Sequence, residues 1–200
     1  MNPMNARFAF IAAPLLVLAY GVIRILDGLD GSRGPGLAWT TGHLAFMAAL
    51  VLFAGIFWQL RAMAGRDTLS TVSAVAGTAG IAALLAQFGI DVVVGFLAAD
   101  HAGMSVLFDR VQSVPGVAIA VYDGGPFLFY LAQLALVIQL AVMRRVRPWT
   151  PVLVLIDLAL PFADKDLIPL GALFLLVSFA PLARREVPAA ATVRPAATVS

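Results

Sequence analysis

The sequence contains no cysteine. That excludes disulfides, thiol catalysis, iron–sulfur clusters and cysteine-held zinc. There are only two histidines, His43 and His101, too few for a multi-histidine metal site or a four-histidine haem protein. Charge is also scarce. Charged residues make up 12% of the chain, against about 25% in ordinary soluble domains. Arginine outnumbers lysine twelve to one. The arginines fall in short loops between apolar runs, with no dense patch and no interleaved aromatics, so the basic balance does not indicate nucleic-acid binding.

What is present is apolar. Hydrophobic residues account for 62% of 200 residues, and the mean hydropathy is +0.96. Several runs approach the 20 or so residues that a helix needs to cross a bilayer. The reading is an all-α polytopic membrane helix bundle, one domain over residues 1–185. Six spans are expected: 8–26, 39–60, 70–99, 124–143, 149–162 and 167–183. The fifth is short, so a five-span alternative with a re-entrant last stretch stays open. The first run lacks a clean cleavage site and reads as a retained span rather than a signal peptide. Residues 186–200, rich in Ala, Pro and Thr, read as a disordered cytoplasmic tail.

Charge in the connections orients this threading. Arg7, Arg61, Arg66, Arg144, Arg145, Arg147, Arg184 and Arg185 share one side, and most aspartates lie on the other. The positive-inside rule then places both termini in the cytoplasm of a multi-pass plasma-membrane protein. Trp39, Trp58 and Trp149 lie near span ends, as interfacial tryptophans do. Met104, Leu107, Phe108 and Val111 at helical spacing predict a short amphipathic helix at 101–114 on the outer surface. In "PGVAIAVYDGGPFLF", Asp123-Gly124-Gly125-Pro126 is expected to interrupt any helix begun at Pro115, and an ordinary outer loop is the favoured reading.

Asp91 in "FGIDVVVGF" and Asp157 in "VLVLIDLALPF" are ionisable residues inside apolar runs. Each costs about 2.5–3.5 kcal/mol at a helix centre, so such residues usually face the bundle interior or a cavity. The threading puts Tyr20, Arg24, Asp27, His43, Gln87, Asp91, Asp123, Gln133 and Asp157 in one half of the membrane. Tyr20, Arg24 and Asp27 share a helix face, and Arg24 is positioned to pair with Asp27. The inner half holds little beyond Gln139, Ser70, Thr71 and Ser73. This asymmetry predicts a polar pocket toward the outer face. Two buried acids there can differ in protonation, one donating a proton and the other stabilising positive charge. Phe88 or Tyr20 would add cation–π stabilisation. Interhelical hydrogen bonding by the same acids is the structural alternative. "DGLDGSRGPG" lacks the GxxxxGK[ST] pattern of a phosphate loop, and "ADKD" at 163–166 reads as a tight turn.

In its size, its arginine and alanine richness and these two aspartate segments, the chain resembles small integral membrane proteins of actinobacteria. It is also similar, at the level of architecture over residues 8–183, to the membrane-bound terpene cyclases of actinomycete terpenoid pathways. That resemblance implies an isomerase- or lyase-type enzyme that starts a carbocation cascade by protonating a lipophilic isoprenoid in the bilayer, with no cofactor or metal. The candidate catalytic acids, Asp91 or Asp157 as proton donor and the other as charge stabiliser, come from their place in the apolar runs and not from the family. It transfers no specific motif. DDxxD and DxDD are both missing, which argues against ionisation-type and soluble protonation-type cyclases. A non-enzymatic membrane protein is the alternative: a small transporter, a resistance or immunity factor, or an assembly partner, its acids binding a proton or cation. The sequence leaves any protein partner open.

Overall fold

Apolar runs that enter a bilayer must satisfy their backbone groups internally, so they fold as helices. The computed structural model describes residues 3–184, with side chains from residue 7 onward, and contains no strand among them. The helices are α1 (Pro3–Asp27), α2 (Leu37–Met63), α3 (Thr68–Leu97), α4 (His101–Gln112), α5 (Gly125–Val142), α6 (Trp149–Ala163) and α7 (Ile168–Ala183). A π-helical turn, Ala118–Gly124, leads into α5, and a 3-10 turn, Lys165–Leu167, leads into α7. The tail expected at 186–200 lies outside the described residues.

Five of these segments are long and apolar enough to cross a membrane: Arg7–Asp27, Leu37–Met63, Thr68–Leu97, Ala118–Val142 and Lys165–Ala183. The chain is therefore a multi-pass helical membrane protein. α6 has 15 residues, about 22 Å at 1.5 Å per residue, shorter than the roughly 30 Å hydrocarbon layer. Its neighbours nevertheless place its two ends at opposite ends of the bundle. Just before α6, Arg145 donates to the Met63 carbonyl at the end of α2. Just after it, Asp166 accepts from Arg33 in the α1–α2 loop. α6 thus runs the length of the bundle like its neighbours.

The six long elements close into a ring. α1 packs on α2 and α7, α3 on α2 and α5, and α6 on α7 and, more sparsely, α5. The centre on the Arg145 side is filled with aromatics: Phe53 meets Phe129 edge-on at 5.2 Å, and Phe10 meets Phe179 at 5.6 Å. The other end is more polar, and it holds the loops that carry most of the aspartates.

Two local expectations need correction. The segment Asp123–Pro126 does not break the helix, and the favoured outer loop is not what forms: the chain is helical from Ala118 to Val142. The physical reason is the π turn. Proline lacks an N–H and its ring clashes with the carbonyl four residues back. An i→i+5 turn just before Pro126 absorbs that defect without ending the helix. The second correction concerns Arg24 and Asp27. Their spacing permits a local pair, but Arg24 instead faces Asp166, with Nε 3.7 Å from Oδ1. Asp27 accepts the Gly34 N–H at 2.9 Å. A helix does form within the expected 101–114 stretch, as α4, capped by Asp100, which accepts from the Gly103 N–H at 2.8 Å.

Candidate functional site

The aspartate-rich end encloses two adjoining cavities. The first, of about 150 Å³, is polar and is lined by Arg24, Asp27, Arg33, Trp39, His43 and Asp91 among others. The second, of about 190 Å³, lies deeper in the ring and is lined mainly by apolar and aromatic side chains, with Gln133 and Asp157 in its wall. Tyr20, Gln87, Phe88 and Lys165 line both. The Tyr20 and Phe88 rings, 5.5 Å apart and edge-on, form part of the partition.

Asp91 sits on α3 and is buried. Its Oδ2 lies 3.5 Å from Nε2 of His43 on α2. The other ring nitrogen, Nδ1, lies 2.7 Å from the Trp39 carbonyl. A carbonyl only accepts, so Nδ1 carries a proton. Nε2 is then the ring atom that faces the Asp91 carboxyl. A polar side chain thus meets the carboxyl where an acid inside the bundle needs one. Trp39 completes the arrangement by donating its indole N–H to the Asp91 backbone carbonyl at 2.8 Å. It can lie that close because position 95, one turn further along α3, is glycine. A Cβ there would meet the indole at 2.6 Å.

Asp157 differs. It is buried on α6, and its side chain has no hydrogen bond or ion pair to any described residue. α7 approaches it closely through Gly171, where a Cβ would fall 2.7 Å from Oδ1 of Asp157. Nearby on the same cavity, Gln133 is 1% exposed, and neither its Oε1 nor its Nε2 has a partner; the Oε1 of Gln87 has none either. Buried amides normally find partners, so the second cavity presents unfilled hydrogen-bonding capacity amid aromatic walls.

A clasp closes the aspartate-rich end. Nη2 of Arg33 donates to both carboxylate oxygens of Asp166, each at 2.8 Å. His101 lies on α4, with Nδ1 3.1 Å from the Arg33 carbonyl. Helix ends far apart in sequence are thereby pinned over the polar cavity.

The residues singled out in the sequence are thus mostly gathered here: Tyr20, Arg24, Asp27, His43, Gln87, Phe88 and Asp91 line the polar cavity, and Gln133 and Asp157 line the deeper one. Two expectations change. Asp91 and Asp157 line different cavities, so the single pocket is in fact two. Asp123 lies exposed in the π turn and lines neither cavity. Sequence reasoning missed Trp39, read as an interfacial anchor, and Lys165, read as part of a turn. It also missed Tyr130, which lines the deeper cavity. Among the described residues no group of three or more His, Asp or Glu side chains is placed to hold a metal ion. No protein family, curated protein or solved structure matches the chain.

Proposed function

We propose that this chain is an integral enzyme of the plasma membrane, both termini cytoplasmic, that acts on a lipophilic isoprenoid by acid-initiated cyclisation or isomerisation. The observation that carries the reading is Asp157: a buried carboxyl without a side-chain partner among the described residues, in the wall of an aromatic-lined cavity. In its carboxylic-acid form it donates its proton to one carbon of an alkene. The O–H bond breaks, a C–H bond forms, and the neighbouring carbon becomes cationic. The π electrons of a second double bond close a ring onto that carbon, or an adjacent C–H bond gives up its proton. The carboxylate takes the final proton back, so the acid is regenerated. Tyr20, Phe88 and Phe129 line the same cavity, and ring faces stabilise a passing cation. Asp91, held by His43 in the adjoining cavity, supplies electrostatic support. The step needs no redox cofactor or metal.

A cavity of about 190 Å³ is below the roughly 300–1,000 Å³ of pockets that enclose a whole drug-sized ligand. It suits the reacting head of an isoprenoid chain. The sparse α5–α6 seam offers the rest a route to lipid; there Phe127 and Phe162 stack at 6.0 Å and are largely exposed.

The test is conversion of isoprenoid alkenes and epoxides by membranes carrying wild type, Asp157→Asn or Asp91→Asn at matched expression. Product from wild type that falls at least about a hundredfold in a folded Asp157→Asn variant supports the reading, since a positioned acid contributes about 10²–10⁴-fold. No product from wild type, with all three proteins equally stable, overturns it. The His43–Asp91 pair favours a second, non-enzymatic reading: a small transporter, or a resistance, immunity or assembly factor, binding a proton or cation. Proton or cation uptake that requires Asp91 and His43 but not Asp157 would select it.

A further inference from the structure

A third cavity, of about 650 Å³, opens at the opposite end of the bundle, between the start of α6 and the end of α7. Its lining includes Arg147, Arg184, Trp149 and Thr150, with Val177 and Leu182 among its apolar walls, and no acidic residue. Neither arginine has an ion pair or hydrogen bond from its side chain to a described residue. Thr150 is 3% exposed. Its backbone N–H bonds the Arg147 carbonyl, but its hydroxyl has no partner among the described residues. The cavity also meets the N-terminus of α6, where Pro148 stands at the cap position and no side chain caps the helix. A helix start carries a partial positive charge, although here the Thr150 N–H is already bonded and Pro151 has none to offer. Two guanidiniums and a threonine hydroxyl, none with a side-chain partner among the described residues, therefore converge with a helix start on one space with apolar flanks.

We propose that this cavity binds the phosphate headgroup of an anionic phospholipid, with an acyl chain lying along the apolar wall. Basic pockets between membrane helices recognise such headgroups. The apolar flank and the interfacial Trp149 favour a lipid over free phosphate, which would use only the polar half. The site is separate from the Asp157 cavity, and the proposal does not depend on the activity argued above.

The experiment uses the full chain in nanodiscs of phosphatidylcholine doped with phosphatidylglycerol, read by retained lipid in native mass spectrometry and by the shift in Tm. Wild type should retain phosphatidylglycerol over phosphatidylcholine by about tenfold or more, from two charges close to the headgroup. Arg147→Gln with Arg184→Gln should abolish that preference. Arg66→Gln with Arg144→Gln, which removes the same charge from exposed loop positions outside the cavity, should keep it. Thr150→Val should weaken retention about threefold while leaving the lipid-free Tm unchanged. Equal retention of the two lipids by wild type overturns the proposal. So does an equal loss of preference in both double variants, which would mean general surface charge. Displacement of the lipid by millimolar inorganic phosphate also overturns it in favour of a free-anion site. Wild-type retention that appears only when residues 185–200 are deleted would instead assign the cavity to the chain's own tail.

Discussion

Asp91 and Asp157 are both aspartates, both buried, and both on helices that form the ring, yet what meets their carboxyls differs. α2 brings Asp91 a histidine at 3.5 Å and a tryptophan on its carbonyl. Asp157 instead meets a mainly apolar cavity and, from α7, the close approach of Gly171. A carboxyl with a base opposite is a structural element. A carboxyl with only cavity opposite contributes little to holding helices together, so its retention needs another reason. The contrast separates what a buried acid does for the fold from what it does for chemistry, and each half can be broken separately.

The largest effect is expected at Asp157. Asn keeps the shape and removes the acid, so turnover should fall about a hundredfold or more. Because no protein partner is lost, the unfolding midpoint in mixed micelles should stay level or rise. A variant that loses activity and fold together would erase the contrast with Asp91.

His43→Ala should do the reverse. It leaves Asp91 buried without its base, and breaking a buried pair from one side costs about 3 kcal/mol. Asp91→Asn in the same background should recover part of that loss. The cycle of single and double variants, read by reversible unfolding in bicelles, should show coupling of about 1 kcal/mol or more between the two positions. Strict additivity would mean that the 3.5 Å approach carries no energy.

The two glycines sharpen the comparison. Gly171→Ala places a methyl against the Asp157 carboxyl and backbone; Gly95→Ala places one against the Trp39 indole. Overpacking of this kind costs about 1–3 kcal/mol. The two should differ in kind. At position 171 the obstacle includes backbone, so α6 and α7 must separate and the Asp157 cavity changes shape, reducing turnover as well as stability. At position 95 the obstacle is a side chain that can swing away, so Trp39 fluorescence should shift toward a wetter environment. Equal spectra for wild type and Gly95→Ala would show that the indole does not depend on that space. Trp39→Phe is milder still. It removes one donor from a carbonyl in the middle of a helix, worth about 1 kcal/mol, and should lower the unfolding midpoint by less than His43→Ala does.

These cases also show what could be read from the residues alone. Span positions, the surface helix at α4 and the gathering of polar groups in one half of the bundle follow from hydropathy, helical spacing and charge, which are local in sequence. Asp91 and Asp157 stood out because an acid inside an apolar run is costly wherever it occurs. The division into two cavities was not legible, because it depends on which rings stand between the acids, and Tyr20 and Phe88 come from different helices. Trp39 was concealed by its ordinary role near a span end; its bond to Asp91 crosses 52 residues. The Arg24–Asp27 spacing misled because a local partner at helical distance says nothing of a better placed one 142 positions away, here Asp166. Asp123–Pro126 misled because a π turn can carry a helix through residues that usually end one.

The smallest effect belongs to a third aspartate, which serves as the reference for the other two. Asp67 stands at the start of α3, exposed, with its carboxylate accepting from the Ser70 backbone N–H at 2.7 Å. That bond, and then the Ser70 hydroxyl, hold its carboxyl below the usual carboxylate range. A carboxyl lowered in the folded state binds protons more weakly there than in the unfolded chain. Its contribution is therefore fully present above the ordinary carboxylate value and is lost as pH falls through the folded one. Asp67→Ala should lower Tm slightly at neutral pH, and the difference from wild type should shrink on acidification and vanish once the cap is protonated. Asp67→Asn, which caps without a charge, should show a flatter pH profile than wild type. A wild-type profile that is indistinguishable from that of Asp67→Asn would mean that the charge adds nothing to the cap. The exposed aspartate would then act, like the buried Asp91, through the partner it meets rather than the charge it carries.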